Sequence, residues 1–194
     1  KCLAEICAEY GARLFIDEAH ALGVLGKEGR GLCYQIPSPI TMISGTFGKA
    51  FGSGGAFLAS NKEIGEHLIQ TSGAFRYTTA LAPPLCAAAL EALNLIKTHP
   101  SWHLELQEKA ATWRQKLTRQ GWQAPHGNGP IIPLLIGSDQ AALETQKKLE
   151  QQGLLTIAIR PPTVPEGSSR LRLVVRRNLP ENTLKNLLTA LGDQ

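Results

Sequence analysis

The chain has 194 residues, an apolar share of 43% and a formal net charge of +4, enough for one domain or one and a half built on a real core. The basic excess is small and scattered, so it does not argue for nucleic acid. No apolar run approaches the roughly 20 residues of a membrane span, and no signal peptide opens the chain.

The first ten residues carry Leu3, Ile6 and Cys7 at helical spacing and stop at Gly11, which predicts a helix and its C-cap. The chain starts inside this pattern without an N-cap, which suggests that the domain's beginning is absent. Leu14 to Asp17 follows as a strand, then a glycine-rich loop from Gly23 to Gly31. Ile40 to Ser44 and Gly55 to Ser60 are nearly continuous apolar runs, as expected of strands covered on both faces. Asn61 caps a predicted helix from Lys62 to Thr71. Tyr77-Thr78-Thr79 reads as a polar turn. Pro83-Pro84 opens a long helix through Lys97, and His99-Pro100-Ser101 breaks the pattern.

A further helix through Leu104, Leu106, Ala110, Trp113 and Leu117 stops at Gly121. Trp102 and Trp113 read as packing residues, and His99 and His103 as exposed ones. A domain boundary is expected around residues 95 to 105. Pro125 to Pro130 is a turn-rich linker in which His126 reads as solvated. The remainder alternates: strand Ile131 to Ile136, helix Ser138 to Gln152 closed by Gly153, strands Leu154 to Ile159 and Leu171 to Val175, and helix Glu181 to Leu191 behind Pro180. Three strands with helices on one face make a small α/β layer. Cys2, Cys7, Cys33 and Cys86 show no metal-ligand spacing, and free buried thiols in a reducing, cytoplasmic compartment are expected.

Two stretches carry chemistry. In Ile43-Ser44-Gly45-Thr46-Phe47-Gly48-Lys49 a strand breaks into small residues, presents one lysine and runs into the glycines Gly52, Gly54 and Gly55. A lysine in such a turn can be a phosphate contact, a solvated side chain, or a nucleophile if its pKa falls. The second stretch ends the strand Leu14-Phe15-Ile16 with Asp17-Glu18-Ala19-His20. Open α/β sheets place ligand-binding groups at such carboxyl ends. Asp17 can hold a cationic ring nitrogen and His20 an oxygen on the same ring. With Lys49 as an imine-forming amine, these are the protein groups that pyridoxal phosphate requires. The plainer reading makes Asp17 a helix N-cap and His20 a satisfied polar residue.

The segments Phe15 to His20, Gly23-Val24-Leu25-Gly26 with Gly29-Arg30-Gly31, and Thr46 to Lys49 resemble the α-oxoamine synthase family. These are fold-type-I pyridoxal-phosphate enzymes that join an amino acid to an acyl thioester with loss of carbon dioxide. Ile159 to Gly167, followed by Arg170-Leu171-Arg172-Leu173, is similar to the member acting on L-alanine and a pimeloyl thioester in biotin biosynthesis. Sister enzymes for glycine or serine usually have tyrosine-proline where this chain has Arg160-Pro161-Pro162. The resemblance covers nearly the whole chain, but only the C-terminal half of the family's length.

The resemblance implies an α/β fold, the C-terminal part of an aspartate-aminotransferase-like transferase. Residues 1–100 would be part of the large cofactor-binding domain and 101–194 a small C-terminal α/β domain. Pyridoxal 5'-phosphate would be the cofactor, held by Asp17, His20, Thr46 and Lys49, with Lys49 and His20 catalytic. Thr79 would reach the cofactor phosphate of a neighbouring subunit in a cytoplasmic homodimer. Arg172 would bind the amino-acid carboxylate, with Arg160 and Thr163 at the substrate; solvated arginines are the alternative. No metal, nucleic acid or membrane is implied. The missing half carries other cofactor contacts, so the chain alone is expected to be inactive and its first hundred residues to need cover from another chain.

Part of the pattern also fits a different class. Phe15 to His20 also looks like the magnesium motif of a helicase, and Ser44-Gly45-Thr46 like a coupling motif. Both glycine-lysine stretches, however, have only two residues between the glycines and lack the hydroxyl that a phosphate loop requires.

Overall fold

A computed structural model describes residues 2–36, 39–123 and 127–192, with nothing described of the Cys2 side chain. The linker segment from Pro125 and the residue His126 thus fall outside the described residues in part or whole. The chain forms two compact units, Lys1–His103 and Leu104–Gln194.

The first unit opens with helix α1 (Cys2–Glu9), strand β1 (Phe15–Asp17) and strand β2 (Met42–Thr46). β3 (Ala56–Ser60), α2 (Lys62–Thr71), the single-turn α3 (Gly73–Arg76) and α4 (Pro83–Thr98) complete it. β1 and β2 pair in parallel, with Asp17 opposite Ser44, and β3 joins β2 antiparallel, with Leu58 opposite Ser44. The sheet order is β1-β2-β3, so among the described residues β1 and β3 each have one open edge. β2 starts and ends two residues later than its apolar run suggests, because the β3 ladder continues to Thr46 opposite Ala56.

Local chemistry explains the helix ends. Asn61 Oδ1 accepts the Ile64 N–H at 3.0 Å and starts α2. Ser72 Oγ does the same for Phe75 at 3.3 Å and nucleates α3, which propensity alone does not announce. Proline at the first turn opens α4, where its missing N–H is no loss.

The strands read as two-sided are largely open within this chain, where part of their cover is expected from another. The pattern along β3 is almost entirely exposed, and Phe15 on β1 is open to solvent. The cysteine expectation also needs correction: Cys7, Cys33 and Cys86 are free, but the first two are half-buried and Cys86 is exposed. His99 is exposed and stacks on Trp102, with ring centroids 4.1 Å apart. His103 is buried rather than exposed.

The second unit contains most of α5 (Trp102–Arg119), then β4 (Ile131–Gly137), α6 (Asp139–Glu150), β5 (Ile157–Ile159), β6 (Ser169–Val174) and α7 (Thr183–Leu191). Its sheet is antiparallel in the order β4-β6-β5. Leu171 and Leu173 of β6, Ile132 and Leu134 of β4, Leu149 of α6, Leu187 of α7 and Trp113 and Leu117 of α5 close one core. Side chains alternate along a strand, so Arg170 and Arg172 occupy the face opposite that core. β5 is shorter than its apolar run because Leu154 donates back to Leu149 O, closing α6, and leaves Leu155 exposed. No described helix is long and apolar enough to cross a membrane.

Candidate active site

The parallel pair β1–β2 brings Asp17 and the turn after Thr46 to the same end of the sheet. A cavity of about 590 Å³ opens there, and Asp17, Ser44, Thr46 and Lys49 line it together with Phe57, Leu58, Ile69 and Phe75. The floor has to be flat. A Cβ on Gly45 would run into the Phe57 ring and Leu22, so a larger residue where β2 lines the cavity would force those side chains to shift.

The turn that carries Lys49 is closed by its own backbone. Gly52 N–H donates to Lys49 O at 3.0 Å, Ser53 N–H to Phe47 O at 2.8 Å and Phe47 N–H to Gly55 O at 2.9 Å. Gly52 and Gly55 take φ of 59° and 95°, the left-handed region that glycine occupies without strain. Phe47 packs edge-on against Phe51 and tilted against Phe57. The Lys49 side chain itself is exposed. Thr46 ties the turn across: its Oγ1 donates to Gly55 O and accepts from Gly48 N–H, both at 3.1 Å.

Asp17 Oδ1 accepts the Ala19 N–H at 2.7 Å. That bond, then one from the Ser44 hydroxyl, holds the carboxyl below its ordinary value of 3.8; desolvation opposes the shift, while the Lys49 and His20 charges add to it. The structure therefore gathers Asp17, Thr46 and Lys49 on one cavity and puts His20 within electrostatic reach of Asp17. Thr79 is exposed in the loop between α3 and α4 and does not line the cavity.

The other sequence-predicted residues belong to the second unit. Arg172 pairs with Ile157 and Pro133 across the sheet, and its Nε is buried without a hydrogen-bond partner. Buried guanidinium N–H groups are ordinarily satisfied, and Arg172 shares this state with Arg114 Nε among the described residues. Arg170 is different: its Nε donates to Ser168 O at 2.9 Å. Thr163 closes a turn through its N–H to Arg160 O at 3.0 Å, and both side chains are exposed.

Reading the sequence for reactive groups passed over Glu18. It is 2% exposed, and its carboxylate accepts the N–H groups of Leu32 at 3.1 Å and Cys33 at 2.5 Å. Burial and then this carboxylate push the Cys33 thiol up to about 12. An acidic residue directly after a strand-ending aspartate was the signal available, but only burial separates an anchor from a solvated neighbour.

Fold and site together describe a carboxyl-end ligand site on an open α/β sheet, with a turn lysine facing an ionised aspartate. The chain belongs to the class I and II aminotransferase family, whose profile matches residues 1–191. The helicase reading falls with that match. The chain is 39% identical over 193 residues to the 8-amino-7-oxononanoate synthase of Anaeromyxobacter dehalogenans (strain 2CP-C), covering 98% of this chain and 49% of that protein. A solved 8-amino-7-oxononanoate synthase from Francisella tularensis superposes with a TM-score of 0.82 at 26% identity, over 97% of this chain and 56% of that one. The serine palmitoyltransferase of S. paucimobilis, solved with PLP and myriocin bound, gives 0.88 at 23% identity over 97% and 48%. The fold is thus that of the C-terminal part of a PLP-dependent transferase. The chain spans about half the length of the curated relatives it matches.

Proposed function

We propose that the chain is the lysine-bearing part of a pyridoxal-phosphate-dependent acyltransferase, an 8-amino-7-oxononanoate synthase. It would condense L-alanine with a pimeloyl thioester, on coenzyme A or a carrier protein, and release carbon dioxide. The observation that carries the proposal is Lys49 and a carboxyl held ionised, Asp17, on one cavity at the carboxyl ends of paired parallel strands.

The donor set fits the cofactor. An ionised Asp17 suits a protonated ring nitrogen, and the cavity walls Phe57 and Leu58 are apolar. When bound, the cofactor supplies an electron sink for the amino acid's α-carbon. Lys49 Nζ supplies the covalent anchor and afterwards a base for the α-proton. Asp17 keeps the ring nitrogen protonated, and His20 bonds the ring hydroxyl. Thr46 would serve the cofactor phosphate by turning its hydroxyl proton from Gly55 O toward that anion. Arg172 would receive the amino-acid carboxylate on its Nε, with Arg160 assisting from the Pro161-Pro162 loop that also positions Thr163 at the substrate. Thr79 is read as a phosphate contact donated across a cytoplasmic homodimer.

Titrating pyridoxal phosphate into the protein tests this by visible absorbance. A new band is expected, perturbed by L-alanine, and absent in Lys49→Ala at unchanged far-UV circular dichroism. Perturbation by glycine or serine but not L-alanine would transfer the chain to a sister α-oxoamine synthase. Loss of folding in Lys49→Ala would make the lysine structural and overturn the reading.

A further inference from the structure

Glu18 joins three segments of the first unit. Its N–H donates to Ser44 O of β2 at 2.8 Å, and its C=O accepts Ala21 and Leu22 N–H at 2.9 and 3.0 Å, closing the turn that carries His20. Its carboxylate holds Leu32 and Cys33 N–H, the far end of the glycine loop. The loop is shaped to admit it: a Cβ on Gly31 would lie 3.0 Å from both the carboxyl carbon and Oε2, at a φ of 87°. A carboxylate only 2% exposed is costly to bury, and two charge-assisted N–H bonds are what compensate it. Glu18 is not among the residues that line the cavity.

We propose that Glu18 is a positioning residue: its buried carboxylate clamps the Asp17–Leu22 turn to the end of the glycine loop and so fixes Asp17 on the cavity wall. The functional meaning rests on the cofactor reading, because only there does the place of Asp17 matter to a ligand. The clamp itself does not depend on that reading.

The two effects of removing the charge have opposite signs. Deleting a neighbouring anion lowers the pKa of Asp17, because a like charge disfavours ionisation. Releasing the turn weakens the Ala19 and Ser44 hydrogen bonds and raises it. The chain has only three aspartates, Asp17, Asp139 and Asp193, so carboxyl-labelled aspartate resolves the titration by carbon NMR.

The experiment compares the cofactor-free 194-residue protein with Glu18→Gln and Gly31→Ala, all in a Cys2, Cys7 and Cys86→Ser background. In Gly31→Ala, which keeps the charge, the Asp17 midpoint is expected to rise toward 3.8, whereas in Glu18→Gln the two effects oppose and Cys33 is the deciding readout. Cys33, no longer held beside the carboxylate, is expected to react at least tenfold faster with iodoacetamide at neutral pH. An Asp17 midpoint that stays or falls in folded Gly31→Ala, or a Cys33 that stays slow in folded Glu18→Gln, would overturn the proposal. If Glu18→Gln does not fold, Gly31→Ala, which keeps the charge, decides on the same two readouts. Because no cofactor is present, failure here and failure of the cofactor reading are seen separately.

Discussion

The two units handle the same kind of apolar strand in opposite ways. The second buries Ile132, Leu134, Leu149 and Leu171 completely and closes its core with α5, α6 and α7. Among its described residues, the first buries only Ala4, Ala21, Val24 and Ala89 of the apolar side chains. Phe15, Leu58, Ile69, Phe75 and Leu90 stay exposed there, beside a sheet with two open edges. Asp17, Thr46 and Lys49 gather on the unit with little core. Exposed apolar surface next to unpaired strands favours association. The candidate site of the first unit therefore depends on local ties such as Glu18 and Thr46 rather than on a packed core.

The sharpest test of that contrast is a pair of truncations. Leu134→Ala, at a fully buried position, is expected to cost about 2–5 kcal/mol of second-unit stability. Leu58→Ala, at an exposed strand position, is expected to stay within about 0.5 kcal/mol. Urea unfolding followed by circular dichroism measures both, and comparable costs would break the comparison.

Two serine or asparagine caps sharpen it at smaller scale. Asn61 starts α2 and Ser138 starts α6 by the same bond, at 3.0 and 3.2 Å. Removing either side chain costs about 1 kcal/mol locally. Ser138→Ala should lower the unfolding midpoint of the second unit as a whole. Asn61→Ala should show mainly as faster amide exchange in the first turn of α2, without a cooperative shift.

The smallest effect is acidic. The folded pKa of Asp17 lies below 3.8, so its contribution is fully present above that value and fades as pH falls through the lowered one. Amide exchange around Ala19 should therefore accelerate below pH 3.8, and Asp17→Asn should remove that dependence. A change confined to higher pH would contradict the stated cause.

Much of this was legible in the sequence because capping and periodicity are local. Asn61, Pro83 and Ser138 mark helix starts by chemistry confined to one turn, and the alternation Arg170-Leu171-Arg172-Leu173 already separates core from open face. Asp17 and Lys49 were found through strand-end logic, and the parallel register explains why they meet. Burial is less legible wherever it depends on distant chain. β1 and β3 read as strands covered partly by another chain, and within this chain their described side chains are largely exposed. Glu18 escaped for the same reason, since its partners Leu32 and Cys33 lie fourteen and fifteen residues away. The hydroxyl of Thr46 was read as a phosphate ligand, and its work in closing the turn is visible only in three dimensions.

The account turns on Lys49 as the residue that takes the cofactor. Borohydride reduction of the protein with pyridoxal phosphate, followed by peptide mass mapping, tests this most directly. A pyridoxyl group confined to Lys49 at stoichiometric cofactor, and lost in Asp17→Ala, is the result expected. Label spread over Lys27, Lys62 and Lys97 as readily as Lys49 would contradict it.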